Sequence, residues 1–287
     1  MIGVSSPLAE HPVPSKNKKR KNKHPKTADT VDRHRLYEKA VQCPEADLRF
    51  ARRMFRRHQP DRPLLDIRED FCGTALLACE WVAGGKDRRA FGVDLDGDTL
   101  DWGREHNLSP LGKAAKRVTL VEGNVLDAKV PKVDLTLALN FSYFCFTERR
   151  DLVAYYSAAR AGLRSGGLFV MDIFGGTEAM DTSEEKTKKD GFTFVWEQAK
   201  FNPINHAMRC HIHFHFRDGS KLHRAFSYQW RFWTVPEIRD CLLEAGFEDV
   251  EFYWEGFDED GDGNGIFRRV KNVEQAEGFI AYIVATT

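Results

Sequence analysis

The sequence predicts an α/β fold with a doubly wound, mostly parallel sheet. Between Leu64 and Asp172, short apolar runs rich in leucine and β-branched residues alternate with segments of helical periodicity. That alternation is typical of strands joined by crossover helices, which pair in parallel. Two of the runs end on acids close to a glycine, at Asp70 and Asp94. Since open sheets of this class bind ligands at the carboxyl ends of their strands, we expect a ligand site at that edge.

Length and composition indicate one large core and no membrane span. The chain has 287 residues, 42% of them hydrophobic, which suffices for an α/β core with an insertion. It contains no apolar run near the roughly 20 residues that a span needs, and its first residues contain no apolar signal-peptide stretch. The six cysteines form no C-x-x-C pair, so reduced thiols are expected. We therefore expect a soluble, cytoplasmic protein.

Charge is distributed unevenly, although the formal net charge is zero. Ser15–Thr27 carries seven lysine and arginine residues and no acid, which leaves 36 basic against 43 acidic residues elsewhere. Clustered positive charge attracts polyanions without any fixed structure. We interpret residues 1–29 as a disordered basic tail that aids solubility. Residues 16–26 are a candidate contact for nucleic acid or an acidic partner.

Two helices are predicted before the first strand, and they open the segment 30–176, which we assign to the N-terminal helices and the ligand-binding part of the core. The first begins near Thr30 and carries Leu36 and Tyr37 on its apolar stripe. The second starts at Pro44, since proline is tolerated in a first turn. Both stripes are typical of core packing, although helices in this place can also close over a ligand.

The first strand, Leu64–Asp70, ends on two acids and is followed by Phe71, Cys72, Gly73 and Thr74. Glycine here lets the backbone approach a ligand closely, and the helix that follows offers free N–H groups. The G-x-G-x-x-G fingerprint of dinucleotide sites is absent, which argues against a nicotinamide enzyme.

The second strand, Arg89–Asp94, places Asp94 at its carboxyl end, 21 residues after Gly73. Two carboxylate oxygens match the vicinal hydroxyls of a ribose, so this position favours ribose binding by Asp94. Asp96 can assist, or it can cap the helix predicted over Gly97–His106.

Three more strands complete the alternation, at Val118–Glu122, Val133–Asn140 and Leu168–Asp172. Their leucine-rich and β-branched runs are expected of strands buried on both faces. A helix is predicted between Thr147 and Leu163, before the turn that leads into the fifth strand.

The order of these motifs resembles that of class I S-adenosylmethionine-dependent methyltransferases over roughly Leu64 to Asp172. The matching segments, in chain order, are REDFCGTALLA, GVDLD, EGNVLD, LALNFSYF and LRSGGLFVMD. Further on, LLEAGFEDVEFYW resembles the last helix and sixth strand of that family. The resemblance implies a Rossmann-like, mostly parallel sheet with an antiparallel last strand, and S-adenosyl-L-methionine as the cofactor.

The resemblance also implies roles for single residues. Glu69 matches the acid of the family's first motif, and Asp94 matches its ribose-binding acid. Asn124 falls beside the adenine, with Asp127 as the alternative, and Asn140 falls beside the reacting methyl group. The implied cofactor-binding residues are Glu69, Cys72, Gly73, Thr74, Asp94, Asp96, Asn124, Val125 and Asn140.

Two positions of the first motif depart from the family pattern, which commonly has glycine at both. Phe71 stands where the first glycine is usual, and Ala75 stands where the last one is. We expect these side chains to narrow the space near the methionine part of the cofactor, while Gly73 keeps the central glycine.

Three candidate catalytic residues follow from position alone. Asn140, Tyr143 and Asp172 lie at or just after the ends of the fourth and fifth predicted strands. The run from Asn140 to Tyr143 also resembles, without its two prolines, the N-P-P-Y element of enzymes that methylate exocyclic amines. A general base is needed only where the acceptor arrives protonated.

Residues 177–232 are predicted to form an antiparallel β insertion after the fifth strand. Following a loop over Ile173–Ser183, three segments alternate with period two, at 192–200, 206–216 and 221–233. In small-molecule members of the family, such an insertion covers the substrate mouth or joins the subunits of a homodimer, and the resemblance implies one of these roles here.

Three histidines in alternate positions, His211, His213 and His215, share one face of the middle strand of that insertion. Imidazoles spaced about 7 Å apart along one side could bind a metal. No carboxylate or cysteine is arranged in sequence to complete such a site. A solvated or partner-facing surface is therefore favoured, and no metal is expected.

Residues 233–287 are predicted to complete the core, with a T-x-x-E capping box that opens a helix at Thr234 and a last strand over Gly278–Ala285. From Asp260 the chain imitates a calcium loop, but its twelfth position is Lys271 instead of a bidentate glutamate. An acidic loop before the last strand is therefore favoured.

Together these features predict a methyltransferase that transfers a methyl group from S-adenosyl-L-methionine to a small-molecule acceptor by in-line displacement. Alignment of the acceptor and exclusion of water would supply most of the rate. Two alternatives stay open. One is an RNA or protein methyltransferase that docks through the basic tail, and the other is a non-catalytic S-adenosylmethionine-binding or interaction protein.

Overall fold

The computed structural model describes residues 25–257 and 263–287, and within these ranges the chain forms twelve β-strands and six α-helices. The strands are β1 (Asp66–Asp70), β2 (Arg89–Asp94), β3 (Val118–Glu122), β4 (Val133–Ala138), β5 (Leu163–Gly175), β6 (Ser183–Lys189), β7 (Phe192–Phe201), β8 (Ala207–Phe216), β9 (Lys221–Arg231), β10 (Asp249–Phe257), β11 (Gly263–Val270) and β12 (Phe279–Thr286). The helices are α1 (Arg33–Val41), α2 (Pro44–His58), α3 (Leu76–Ala83), α4 (Gly97–Gly103), α5 (Arg149–Ala161) and α6 (Val235–Glu244).

The main sheet has eight strands in the order β11-β10-β12-β5-β4-β1-β2-β3. Strands β1 to β5 pair in parallel with one another, and β12 runs antiparallel to both β5 and β10. This arrangement confirms the predicted doubly wound sheet with an antiparallel last strand. Because β1, β2 and β4 run in the same direction, the chain leaves them at one edge, just after Asp70, Asp94 and Ala138.

Helices cover both faces of the main sheet and build the core. On one face α2 and α3 bury Met54 and Trp81 in a cluster that includes Ile67 of β1. On the other face α5 and α6 bury Tyr155 and Leu242. Full burial of one such side chain stabilises the fold by about 1.5–3 kcal/mol. The packed core therefore fixes the positions of the strand ends.

A second, antiparallel sheet with the order β6-β7-β8-β9 confirms the predicted β insertion. The sequence predicts only three of its strands. β6, SEEKTKK, is an edge strand with almost fully exposed side chains, so its sequence needs no alternation of apolar and polar residues. The loop predicted over Ile173–Ser183 is shorter in the structure, because β5 continues to Gly175 along β12 and β6 begins at Ser183, with a 3-10 turn at Thr177–Met180 between them.

Helix α1 packs against the second sheet. Leu36 is buried in a cluster with apolar residues of β7, β8 and β9. The backbone N–H and the hydroxyl of Thr27 both donate to Asp218 Oδ2 at 2.9 Å, in the turn between β8 and β9. Residues 27–29 therefore form a 3-10 turn, although the predicted disordered tail includes them.

Strand β11 is a correction to the acidic loop that the sequence favours. Gly263–Val270 pairs antiparallel with β10, for example Trp254 with Arg268. The glycines and charged residues of this strand mask its pattern, because both edge position and exposure relax the need for apolar residues. Residues 258–262, which begin the calcium-like pattern, and residues 1–24, which hold most of the basic tail, lie outside the described residues.

No helix within residues 25–257 and 263–287 combines the length and the apolar character needed to cross a membrane. All six cysteines fall within these ranges as free thiols. Four of them, Cys72, Cys79, Cys210 and Cys241, are buried.

Candidate active site

The loop after β1 adopts left-handed backbone conformation at every second residue. The φ angles are 57° at Phe71, 51° at Gly73 and 55° at Ala75. The resemblance predicts glycine at these three positions, and the left-handed region costs roughly 1–2 kcal/mol for a residue with a side chain. The loop thus has the backbone conformation that glycine favours, although two of the three residues carry a side chain. The surrounding structure holds Phe71 and Ala75 in this conformation.

Asp94 ties this loop to the end of β2. Its Oδ2 accepts the N–H of Gly73 at 2.7 Å, and its Oδ1 accepts the N–H of Asp96 at 2.9 Å. Each carboxylate oxygen has a second lone pair, so the half-buried carboxylate can also accept two ligand hydroxyls. Asp96 itself accepts the Thr99 N–H at 3.0 Å and so caps α4.

Glu69 lies beneath the loop and not in an open cleft. Its side chain is buried, and its Oε2 accepts the Ala78 N–H of α3 at 3.0 Å. Burial raises the pKa of Glu69 to about 8, although the hydrogen bond from Ala78 acts to lower it. The structure therefore places Glu69 where it supports the loop from below.

The side chains of Cys72 and Thr74 are also buried, which leaves mainly the loop backbone to face a ligand. Thr74 Oγ1 donates to Glu38 Oε1 of α1 at 2.8 Å. Asn107 Nδ2 donates to the same Glu38 Oε1 at 2.7 Å and also to the Thr74 carbonyl oxygen at 3.1 Å. The sequence offers no signal for this role of Glu38, because its partners lie far along the chain.

The ring of Phe71 packs on the α5 side of the sheet. Its centroid lies 5.5 Å from that of Tyr155 and 6.1 Å from that of Phe146. These contacts give the unusual left-handed residue a fixed place among aromatic neighbours.

Asn124 and Leu95 lie beyond the ends of β3 and β2. Asn124 is exposed, and its Oδ1 accepts the Leu126 N–H at 3.0 Å, while the buried Val125 contributes its carbonyl to Arg68 Nη2 at 2.8 Å. Leu95 follows Asp94 directly and is 69% exposed. An exposed leucine beside this acid offers an apolar surface to a ligand. Sequence reasoning missed it, although its position next to the acid was a usable signal.

Asp172 clamps the loop after β4. Its Oδ2 accepts the Asn140 N–H at 2.7 Å and its Oδ1 accepts the Phe141 N–H at 2.9 Å. Both of these residues are left-handed, with φ of 58° and 56°. Tyr143 is fully buried and donates its hydroxyl to the Asp172 carbonyl at 2.8 Å. The structure thus brings the three candidate catalytic residues together, and it gives Asp172 and Tyr143 positioning contacts.

Several carboxyl groups gather at this edge of the sheet. Burial raises the pKa of Asp47, at the start of α2, to about 6 and the pKa of Asp172 to about 7. Burial is the main cause of these raised pKa values, and the neighbouring negative charge of Asp47 adds to it for Glu69 and Asp172.

A cavity of about 460 Å³ opens beside Asn140 and Phe141. Its walls come from α1, the end of β5, the inner face of the second sheet and the segment before β12. The lining residues are Tyr37, Val41, Asn140, Phe141, Phe174, Gly175, Glu178, Ala179, Ser183, Glu185, Phe194, Trp196, Gln198, Ile212, Tyr228, Trp230, Glu255, Gly263, Glu277, Gly278, Phe279 and Ile280. A cavity of this size accommodates a small organic molecule.

The histidines of β8 lie on the outer face of the second sheet. His213 is bonded to Glu197 at 2.8 Å, and His211 is bonded to Ser227 at 2.7 Å. Across the described part of the chain, no group of three or more histidine, cysteine or acidic side chains is placed to hold a metal ion.

No protein-family model matches the sequence, and a search of curated proteins finds no relative. Solved structures do match. An S-adenosylmethionine-dependent methyltransferase from Clostridium acetobutylicum is 17% identical with a TM-score of 0.64, over 88% of this chain and 96% of that one. The CcbJ methyltransferase from Streptomyces caelestis is 18% identical with a TM-score of 0.62, over 85% and 97%. The sugar N-methyltransferase KedS8 from Streptoalloteichus is 16% identical with a TM-score of 0.58, over 100% and 98%.

The protein therefore has the α/β fold of S-adenosylmethionine-dependent methyltransferases, and the predicted class I resemblance is confirmed for the fold. The matches extend over most of the chain, and one of them is a sugar N-methyltransferase.

Proposed function

We propose that the protein is a methyltransferase that uses S-adenosyl-L-methionine and acts on a small-molecule acceptor. The observation that carries the proposal is the loop at residues 71–75, whose alternating left-handed residues are bonded to the carboxylate of Asp94 at the carboxyl ends of two parallel strands. A backbone held in this form next to a free carboxylate face is suited to an adenosine-containing ligand.

The residues present fit this cofactor. Asp94 would accept the two ribose hydroxyls, and the loop backbone around Gly73 would allow close approach, since the nearest atom to a Cβ built there is Thr99 Cγ2 at 3.9 Å. Leu95 and Asn124, beyond the ends of β2 and β3, would contact the adenine. When bound, S-adenosyl-L-methionine supplies a methyl group on a positively charged sulfur.

The cavity beside Asn140 supports a small-molecule acceptor. Asn140 and Phe141 form its inner boundary, and the clamp by Asp172 fixes their backbone. Helix α1, the second sheet, the end of β5 and the segment before β12 form the other walls, which limits the size of an acceptor and aligns it with the reacting groups.

Calorimetry with S-adenosyl-L-methionine and its demethylated product tests the proposal on the full chain. We expect both to bind the wild type, and Asp94→Ala to weaken binding about 10- to 100-fold, because two hydrogen bonds to a charged acceptor are lost. Asp98→Ala, which removes a neighbouring exposed carboxylate, is the matched control and should bind as the wild type does. Absence of binding at millimolar ligand would contradict the proposal.

A polymer acceptor would give a different result after truncation. Activity on a small molecule should survive deletion of residues 1–24, whereas an enzyme that docks RNA or protein through the basic tail should lose activity on that polymer.

A further inference from the structure

We propose that the methyl acceptor is an amine, which enters the cavity beside Asn140 as a cation. The inference rests on the proposed methyltransferase function and names the substrate class of that same site. It follows from the glutamates and the aromatic side chains that line the cavity. The opposite face of the second sheet has a different composition.

The charged side chains that line the cavity are all acidic. Four glutamates line the cavity, and no lysine, arginine or histidine does so among the described residues. Glu178, Glu185 and Glu277 are exposed, and Glu255 is half-buried. Carboxylates gathered at an opening concentrate cations and repel carboxylate or phosphate ligands, which would find no positive partner inside.

Aromatic rings form the inner wall. The centroid of Trp230 lies 4.5 Å from that of Tyr228, with the rings stacked, and 5.9 Å from that of Trp196. On the side of the main sheet, the Phe141 and Phe174 centroids are 4.8 Å apart. Aromatic faces attract ammonium groups through their electron-rich surfaces while they also bury the apolar part of the same molecule. The cavity therefore fits a cation carried on an apolar or planar skeleton.

The opposite face of the same four strands has a different composition. A groove on that outer face is lined by Lys186, Lys221, Arg224, His213, His215, His223, Glu184, Glu197 and Val195. Basic residues and histidines therefore outnumber the two glutamates there, and no described tryptophan, tyrosine or phenylalanine lines this groove. Among the described residues, the cavity face instead combines glutamates with aromatic rings and has no basic side chain.

The reaction requires the amine in its neutral form. The bound ammonium first gives one proton to water or to a lining carboxylate, which frees the nitrogen lone pair. That pair forms the N–C bond while the C–S bond breaks, and the electrons of the C–S bond return to sulfur. Sulfur becomes a neutral thioether, and the N-methylammonium product carries the positive charge.

Ligand-observed NMR on the full chain, without cofactor, tests the charge preference. Three probes share one skeleton: 2-phenylethylamine, 2-phenylethanol and 3-phenylpropanoate. We expect the amine to bind at least tenfold more tightly than the carboxylate, with the alcohol between them, and the preference to shrink at high salt. Equal or tighter binding of the carboxylate would overturn the proposal.

Exposed carboxylates allow a variant test that spares the fold. The double variant Glu185→Gln/Glu277→Gln should weaken amine binding about three- to tenfold at low salt and leave alcohol binding unchanged. Glu184→Gln, on the outer face, should have no effect on either probe. An unchanged amine affinity in the double variant, or an equal loss in Glu184→Gln, would contradict the assignment to the cavity.

Cofactor titration separates this inference from the function on which it rests. If S-adenosyl-L-methionine binds and amines do not, the amine proposal fails alone. If amines bind selectively and S-adenosyl-L-methionine does not bind, the methyltransferase proposal fails. With both ligands present, mass spectrometry should detect the N-methylated amine and no methylated alcohol or ester.

Discussion

The carboxylate of Asp172 holds the backbone of Asn140, whose N–H it accepts at 2.7 Å, and its second oxygen accepts the N–H of the next residue. Replacement Asp172→Ala removes both acceptors from two consecutive left-handed residues. Burial raises the pKa of Asp172 to about 7, so at pH 5.5 its side chain is mostly neutral in the wild type. At that pH the substitution removes the hydrogen bonds without also relieving a buried negative charge.

We expect Asp172→Ala to lower the free energy of unfolding by about 2 kcal/mol at that pH, as measured by urea denaturation. Ser142→Ala is the control, since it removes a hydroxyl that donates to the Leu139 carbonyl in the same turn and leaves the clamp intact. It should cost no more than about 1 kcal/mol. Equal stability of Asp172→Ala and wild type would show that the clamp is not needed for folding.

Glu69 should make the protein less stable as the pH rises. Burial raises its pKa to about 8, so between its ordinary value of about 4.5 and pH 8 the folded state binds more protons than the unfolded state. The free energy of unfolding therefore falls with rising pH across this window and stops falling above about pH 8.

The variant Glu69→Gln should flatten this dependence, because glutamine stays neutral and its oxygen can still accept the Ala78 N–H. Thermal unfolding from pH 4.5 to 8.5 measures the slope. Glu80→Gln, at an exposed position of α3, should keep the wild-type slope. A Glu69→Gln slope identical to wild type would mean that Glu69 does not titrate as its burial requires.

Glu38 should control the docking of α1. Its carboxylate is buried and bonds to Arg35, Thr74 and Asn107. In Glu38→Ala we expect the amide hydrogens of α1 to exchange about 10- to 100-fold faster, because a buried network loses its centre. Hydrogen exchange followed by mass spectrometry measures this, and Lys39→Ala, at an exposed neighbouring position, should leave the rates unchanged.

Gly103 should be intolerant of any side chain. A Cβ at this position would lie 2.4 Å from the Thr74 carbonyl oxygen, a backbone atom that cannot rotate away. We expect Gly103→Ala to lower the free energy of unfolding by about 1–3 kcal/mol. The control is Gly123→Ala, where the nearest side-chain atom lies at 3.8 Å. Similar stability of the two variants would argue against close packing of α4 on the loop.

Much of the main sheet could be predicted from the sequence, because strands buried on both faces must be apolar and their ends must carry the polar groups. Because of that constraint, the positions of β1 to β5 along the chain could be predicted, together with Asp94 at the end of β2. Edge strands carry no such constraint, and for this reason β6 and β11 were not recognised.

The geometry of the site was predictable only in part. The sequence showed that Phe71 and Ala75 replace glycines, but the backbone angle at a residue depends on its surroundings, and the left-handed conformation at both is a result of tertiary packing. Asp172 was a candidate catalytic residue by position, and its bonds to two backbone amides became visible only with the fold. The contact of Glu38 with Thr74 joins segments 36 residues apart.

Helix α1 touches both sides of the site at once. Glu38 is bonded to the loop after β1. Tyr37 lines the cavity and packs at a tilt against Phe226 of the second sheet, with ring centroids 4.9 Å apart. Under the proposed function, a displacement of α1 would open the cofactor loop and the cavity together. Stiffening of α1 should then slow release of the product and of the spent cofactor together.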